Sequence, residues 1–144
     1  MSETKETRIA SANEYIRRLN EAALRIRYEP VRSLLKETAS AIGNLRDAQY
    51  LFDSGEKELL RLYERYLPYL MEIVSEYTRL EESGNYDALM KNREKLMKTI
   101  RAMNDTVRSI TKLLPQDEID EANARQKAEE LRRQLEEQHR SMLQ

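Results

Sequence analysis

The chain's one histidine, His139, stands three residues after Glu136, the Glu-x-x-His spacing that places two metal ligands on one helical face. A di-metal bundle needs two such pairs and further inward glutamates. Only one pair is present, among charged neighbours, so His139 reads as a solvated side chain and no metal is assigned. Phosphate-ester chemistry asks for a nucleophile or a metal pair beside an anion cradle. The sequence has no cysteine, no second histidine and no Asp-x-Asp, and Gly43, Gly55 and Gly84 lie too far apart to make a glycine-rich phosphate loop. No Gly-x-Ser-x-Gly elbow occurs either. No catalytic residue and no cofactor site is assigned.

Two other groups of residues could meet a ligand. Tyr63, Tyr66, Tyr69 and Tyr77 concentrate the aromatic content in one segment, and three of them fall on a helical seam where rings pack and hydroxyls find partners. Lys91, Lys98, Arg101, Arg108 and Lys112 fall along one side of a later helix, interrupted by Glu94 and Asp105. That stripe reads first as a solvated or helix-pairing face and second as an anion- or nucleic-acid-binding face, since nucleic-acid domains are as a rule strongly basic.

These residues must be positioned by helices. Charged residues make up 35% of the 144 positions, and glycine and proline number three each, so the chain is rich in solvated helix surface and poor in loop chemistry. One domain is expected at this length. The absence of cysteine disfavours an oxidising compartment, the start MSETKETRIASANEY lacks the pattern of a signal peptide, and the uncharged run Tyr66–Met71 is far too short to span a bilayer. A cytoplasmic location is the expectation. The net charge of −1 is unevenly spread: residues 1–52, 53–83, 84–114 and 115–144 net +2, −4, +4 and −3, so neighbouring helices attract.

The apolar spacing predicts a first helix over about Glu6–Tyr28 with the seam Ile9, Ala12, Ile16, Leu19, Ala23 and Ile26. Glu29-Pro30 interrupts it as a kink or a turn. A second seam follows at Val31, Leu35, Thr38, Ile42, Leu45, Gln49 and Phe52, with Ala39, Ala41 and Gly43 permitting close approach of another backbone. Asp53-Ser54-Gly55 opens a third helix with the seam Leu59, Tyr63, Tyr66, Leu70, Ile73 or Val74, Tyr77 and Leu80, and a bend centred near Tyr66 is expected because Pro68 lies inside it. After Gly84-Asn85 a fourth helix carries Tyr86, Leu89, Arg93, Leu96, Ile100, Met103, Val107, Ile110 and Leu114, and Pro115 closes it. Residues 116–144 are helix-prone, with the sparse seam Ile119, Ala122, Ala128, Leu131, Leu135 and Met142. The expected fold is therefore all-α: an antiparallel bundle of three to four main helices over 1–115, its core made by the third and fourth, followed by a charged, partly docked C-terminal helix over 116–144.

The segment Arg65-Tyr66-Leu67-Pro68, with Tyr77 nine residues after the proline and Leu80 three further on, resembles the XpaC-like family, described as 5-bromo-4-chloroindolyl phosphate hydrolysis proteins. The family's pattern is Tyr-Tyr-Leu-Pro followed by Tyr and Leu at those offsets. Ile16, Leu19, Ala22, Ile26 and Glu29-Pro30-Val31 are similar to its earlier helix and break. Arg65 replaces the first Tyr, Leu62 stands where Phe is usual, and the similarity covers about residues 12–82. The resemblance implies a small bacterial helical protein, often encoded beside a TelA-like toxic-anion resistance protein. Tyr66, Leu67, Pro68, Tyr77 and Leu80 are its motif positions and are read as structural, because none of them can act as a hydrolytic centre.

The leading expectation is a non-enzymatic helical interaction or accessory protein of the XpaC-like type, meeting a protein partner such as a TelA-like protein or a second copy of itself. A phosphoric-ester hydrolase, as the family label suggests, is the alternative. Weak anion or nucleic-acid binding through the bases of the fourth helix is the second.

Overall fold

The computed structural model describes residues 5–143, apart from the side chains of Asp117 and Leu143. The ends of the two expected segments, residues 1–4 and 144, lie outside it. Among the described residues there is no strand. The elements are α1 (Lys5–Arg25), α2 (Glu29–Leu51), α3 (Glu56–Arg61), a π-helical turn over Leu62–Tyr66, α4 (Leu67–Ser83) and α5 (Tyr86–Leu143). With the π-turn joining α3 to α4, these make an all-α bundle of four helical rods.

Each rod runs opposite to the one before it in sequence, but spatial order differs from chain order. Thr38 of α2 meets Asn104 of α5, and Asp53, just after α2, meets Glu118, so α2 and α5 lie side by side and parallel. Likewise Arg8 reaches Glu56 and Tyr15 reaches Tyr63, which sets α1 parallel to the third rod. The most extensive pairings are α1 with α2 and α2 with α5. The core is therefore centred on α2 rather than on the third and fourth rods, as the sequence had suggested. The reason lies in its wide buried stripe: Val31, Leu35, Ala39, Ala41, Ile42 and Leu45, with the polar Thr38 and Gln49 among them, are all buried, and two neighbours can close on so broad a stripe.

Glu29-Pro30 is a turn. Helix α1 ends at Arg25, the chain crosses through Ile26–Tyr28, and Pro30 sits in the first turn of α2, where its missing amide costs nothing. The Glu81 carboxylate of α4 accepts the Arg27 and Tyr28 amides and satisfies the turn's exposed donors. A Cβ at Gly43 would make only ordinary contacts with Arg46 and Ile16, so close approach is not the reason for that glycine.

Before Pro68, where a bend was expected, the chain makes the π-turn. Proline has no amide to give the Glu64 carbonyl, and its ring crowds that oxygen. Widening the preceding turn, so that the Leu67 amide reaches back to the Leu62 carbonyl, accommodates the ring by inserting one residue. The inserted residue shifts the seam. Leu62, Tyr63, Leu67, Leu70, Val74 and Tyr77 are buried, whereas Tyr66, placed on the seam by regular spacing, is 41% exposed.

Pro115 does not close the last helix; α5 continues through it to Leu143. The loop Phe52–Gly55 holds both sides of the proline: the Ser54 hydroxyl donates to the Leu114 carbonyl, and the Asp53 amide donates to the Glu118 carboxylate. The residues that follow are good helix formers. The charged C-terminal helix is thus the distal part of α5. Its described side chains from Ile119 to Met142 are all exposed, so contact with the bundle ends near Glu118.

Leu70 is fully buried in mid-core, and Leu70→Ala is expected to cost about 2–5 kcal/mol in urea unfolding; a loss under about 1 kcal/mol would contradict the placement. Gly55 and Gly84 both adopt positive φ, 74° and 75°. A Cβ at Gly55 would come within 2.2 Å of Leu114 Cδ2, while one at Gly84 would meet nothing within 4 Å. Leu114 is fully buried and has little room to yield, so Gly55→Ala should lower the thermal midpoint clearly more than Gly84→Ala. Equal shifts would show that Leu114 moves aside freely.

Candidate interaction surface

The residues singled out for chemistry do not converge on one place. His139 and Glu136 sit on the exposed distal part of α5. Among the described residues no three His, Asp or Glu side chains stand together as a metal site would require. Lys91, Lys98, Arg101, Arg108 and Lys112 are exposed along α5. Arg108 is engaged by Asp105 at 3.4 Å and Glu37 at 3.8 Å, which ties that part of the stripe to the α2–α5 pairing.

The tyrosines divide into two groups. Tyr63 and Tyr77 are buried. The Tyr63 hydroxyl donates to Gln49 Oε1 at 2.7 Å, and its ring stacks on Tyr15, with centroids 6.3 Å apart. Arg93 interrupts the apolar α5 seam within the bundle. It donates from Nε to the Tyr77 hydroxyl at 3.0 Å and lays its guanidinium 3.6 Å from the Tyr28 ring centroid, a cation–π contact that explains a half-buried arginine among apolar neighbours. Burial pushes the Tyr77 hydroxyl above its ordinary pKa, partly offset by Arg93; burial also raises Tyr15, against the pull of Arg18. Both rings are therefore neutral packing elements at physiological pH. Tyr66 and Tyr69 face solvent, Tyr69 at 54% exposure. Of the resemblance's motif positions, Leu67 and Tyr77 belong to the core, Leu80 is half-buried, and Tyr66 and Pro68 are exposed.

A polar cluster lies between α2 and α5. Asn104 and Thr38 are both buried. The Thr38 hydroxyl is within reach of Asn104 Oδ1 and of the Leu34 carbonyl, and Asn104 Nδ2 donates to the Leu34 carbonyl and the Glu37 carboxylate. A buried asparagine between two helices fixes their register, since a slip would strand its amide. Asn104 lies one residue off the apolar series, and spacing alone gave it no role.

The surface that sequence reading had only sketched is the distal part of α5. Steps of four and three residues carry the core seam from Leu96 through Leu114 and, after Asp117 and Glu121, on to Ala124, Ala128, Leu131, Leu135, Gln138 and Met142. At 100° per residue these last six fall within about 40° of one direction. Ile119 and Ala122, placed on this seam from sequence, point roughly to the opposite side. Arg125, Lys127, Arg132 and His139 flank the stripe, whereas Glu129, Glu130, Glu136 and Glu137 lie more than about 100° away from it. Leu131, Leu135 and Met142 are 57%, 58% and 85% exposed. Among the described residues no helix is long and apolar enough to cross a membrane.

Comparison with family models, with curated proteins and with solved structures finds no match to this chain.

Thr38→Val removes the buried hydroxyl facing Asn104 and is expected to cost about 1–3 kcal/mol. Asn104→Leu should cost a similar amount, and the double variant less than the two together, with a coupling of about 0.5–3 kcal/mol. Strictly additive losses in urea unfolding would mean the pair carries no joint energy.

Proposed function

We propose that the chain is a non-enzymatic helical interaction protein, cytoplasmic and of the XpaC-like type, that presents the distal part of α5 to a protein partner. The observation that carries this reading is the exposed stripe Ala124, Ala128, Leu131, Leu135 and Met142, which continues the spacing of the core seam beyond the bundle. An isolated helix of this length is marginal in water, and an apolar stripe at a and d spacing is the form in which helices recognise other helices. The resemblance of Arg65–Pro68, Tyr77 and Leu80 to the XpaC-like pattern supports a TelA-like toxic-anion resistance protein as the first partner to try. Core residues Leu67 and Tyr77 serve the bundle in this reading, and the family label describes a phenotype rather than a reaction of this chain.

The test combines capture with an assay. Leu131→Glu with Leu135→Glu, both at exposed sites, should leave the circular dichroism spectrum nearly unchanged and reduce capture of the TelA-like protein at least tenfold. The purified chain should release no product from a chromogenic phosphomonoester, with or without divalent metal ions. Turnover that scales with protein concentration would replace the interaction reading with the hydrolase.

A further inference from the structure

We infer that the occupant of the α5 stripe is a second copy of this chain, docked reciprocally: the distal part of each α5 lies in the groove between α4 and α5 of the other copy. The inference deepens the interaction reading, on which it rests, by naming both surfaces.

Three observations carry it. The first is charge. From Ala124 onward the stripe is flanked by Arg125, Lys127, Arg132 and His139, so a matching surface must be apolar with an acidic rim. Two stripes facing each other would instead oppose base to base. The α4–α5 groove has the required character: a cleft of about 330 Å³ floored by Ile73, Leu80 and Leu96 and bordered on α4 by Glu72 and Glu76, with Lys95 as the one base on its α5 side. Tyr69, exposed at one end of it, offers an amphipathic ring for an apolar contact.

The second is reach. The groove borders Asn92–Thr99 of α5, while the stripe begins 25 residues further along the same unbroken helix. A continuous helix cannot turn back on itself, so the stripe can fill this groove only on another molecule. The third is exposure. Contact of α5 with the bundle ends near Glu118, and the described side chains from Ile119 to Met142 are all exposed, so the stripe is free to lie along another molecule. If Leu131 of one copy lies beside Leu96 of the other in antiparallel sense, the two-fold axis falls between residues 113 and 114 of both helices. Each distal stripe then lies along its partner's groove, and a closed dimer results rather than an open chain.

The test is a charge exchange in the full-length protein. Glu72→Lys with Glu76→Lys makes the groove rim basic, and Arg125→Glu with Arg132→Glu makes the stripe's flanks acidic; all four side chains are exposed. By sedimentation velocity the unaltered chain should sediment at twice its 17.1 kDa mass. Each variant alone should dissociate at least tenfold more readily. An equimolar mixture of the two should restore the dimer, because both mixed contacts are again acid against base. A monomeric unaltered chain overturns the proposal, as does a mixture that stays dissociated. So does a dimer disrupted by the stripe variant but untouched by the groove variant, which would mean stripe-to-stripe pairing. If the chain is monomeric yet Leu131→Glu with Leu135→Glu abolishes capture of the TelA-like protein, the interaction reading stands and this inference fails.

Discussion

The bundle depends on α2 being closed on from two sides. Its stripe is wide because Ala39 and Ala41 add small buried residues beside Val31, Leu35, Ile42 and Leu45, and α1 and α5 settle on its two flanks. The non-apolar members of the stripe are provided for individually: Thr38 by Asn104 and the Leu34 carbonyl, Gln49 by the Tyr63 hydroxyl. The bonds to Asn104 and Tyr63 tie α2 to two different rods, so the groups that are costly to bury are also the ones that fix register. The third rod is held more lightly. Its joints with α1 are Arg8–Glu56, Tyr15–Tyr63 and Glu81 at the α1–α2 turn, with apolar packing between them.

Much of this could be read from spacing. The steps of three and four from Ile9 to Ile26, Val31 to Gln49 and Leu96 to Leu114 identify residues that are nearly all buried, including the polar Thr38 and Gln49. Spacing failed where local chemistry altered the count. The π-turn ahead of Pro68 inserts a residue, moving Leu67 into the core and Tyr66 out of it, and nothing in a regular 3.6-residue repeat announces such an insertion. Pro115 misled in the other direction. The helix on either side of it is held by Ser54 and Asp53, about 60 residues earlier in the chain, and a window centred on the proline does not include them.

The surface features were legible only in part for the same reason. The sparse seam of residues 116–144 is visible in the sequence, but its true members depend on whether the helix continues from Leu114 without a break. Once it does, Ala124 joins the stripe, Ile119 and Ala122 leave it, and the bases beside Leu131 become its flanks. The acidic groove needed two helices to be brought together. Glu72 and Glu76 gain a common setting with Leu96 only when α4 and α5 are antiparallel.

The parallel pairing of α2 with α5 also bears on how the chain reaches this structure. Helices α1 and α2 are adjacent in sequence, as are α4 and α5, so each pair can meet across a short connection. The contact between Thr38 and Asn104 closes a loop of 66 residues, and those between the 52–55 loop and α5 close loops nearly as long. Closure entropy rises slowly with length, but it must be met before the long-range contacts return any energy. Formation of the α2–α5 seam is therefore expected to be the slow, committing step of folding, after the two hairpins. Substitutions at Asn104 or Leu114 would register in the rate of that step, while those confined to the α1–α2 turn would register mainly in what precedes it.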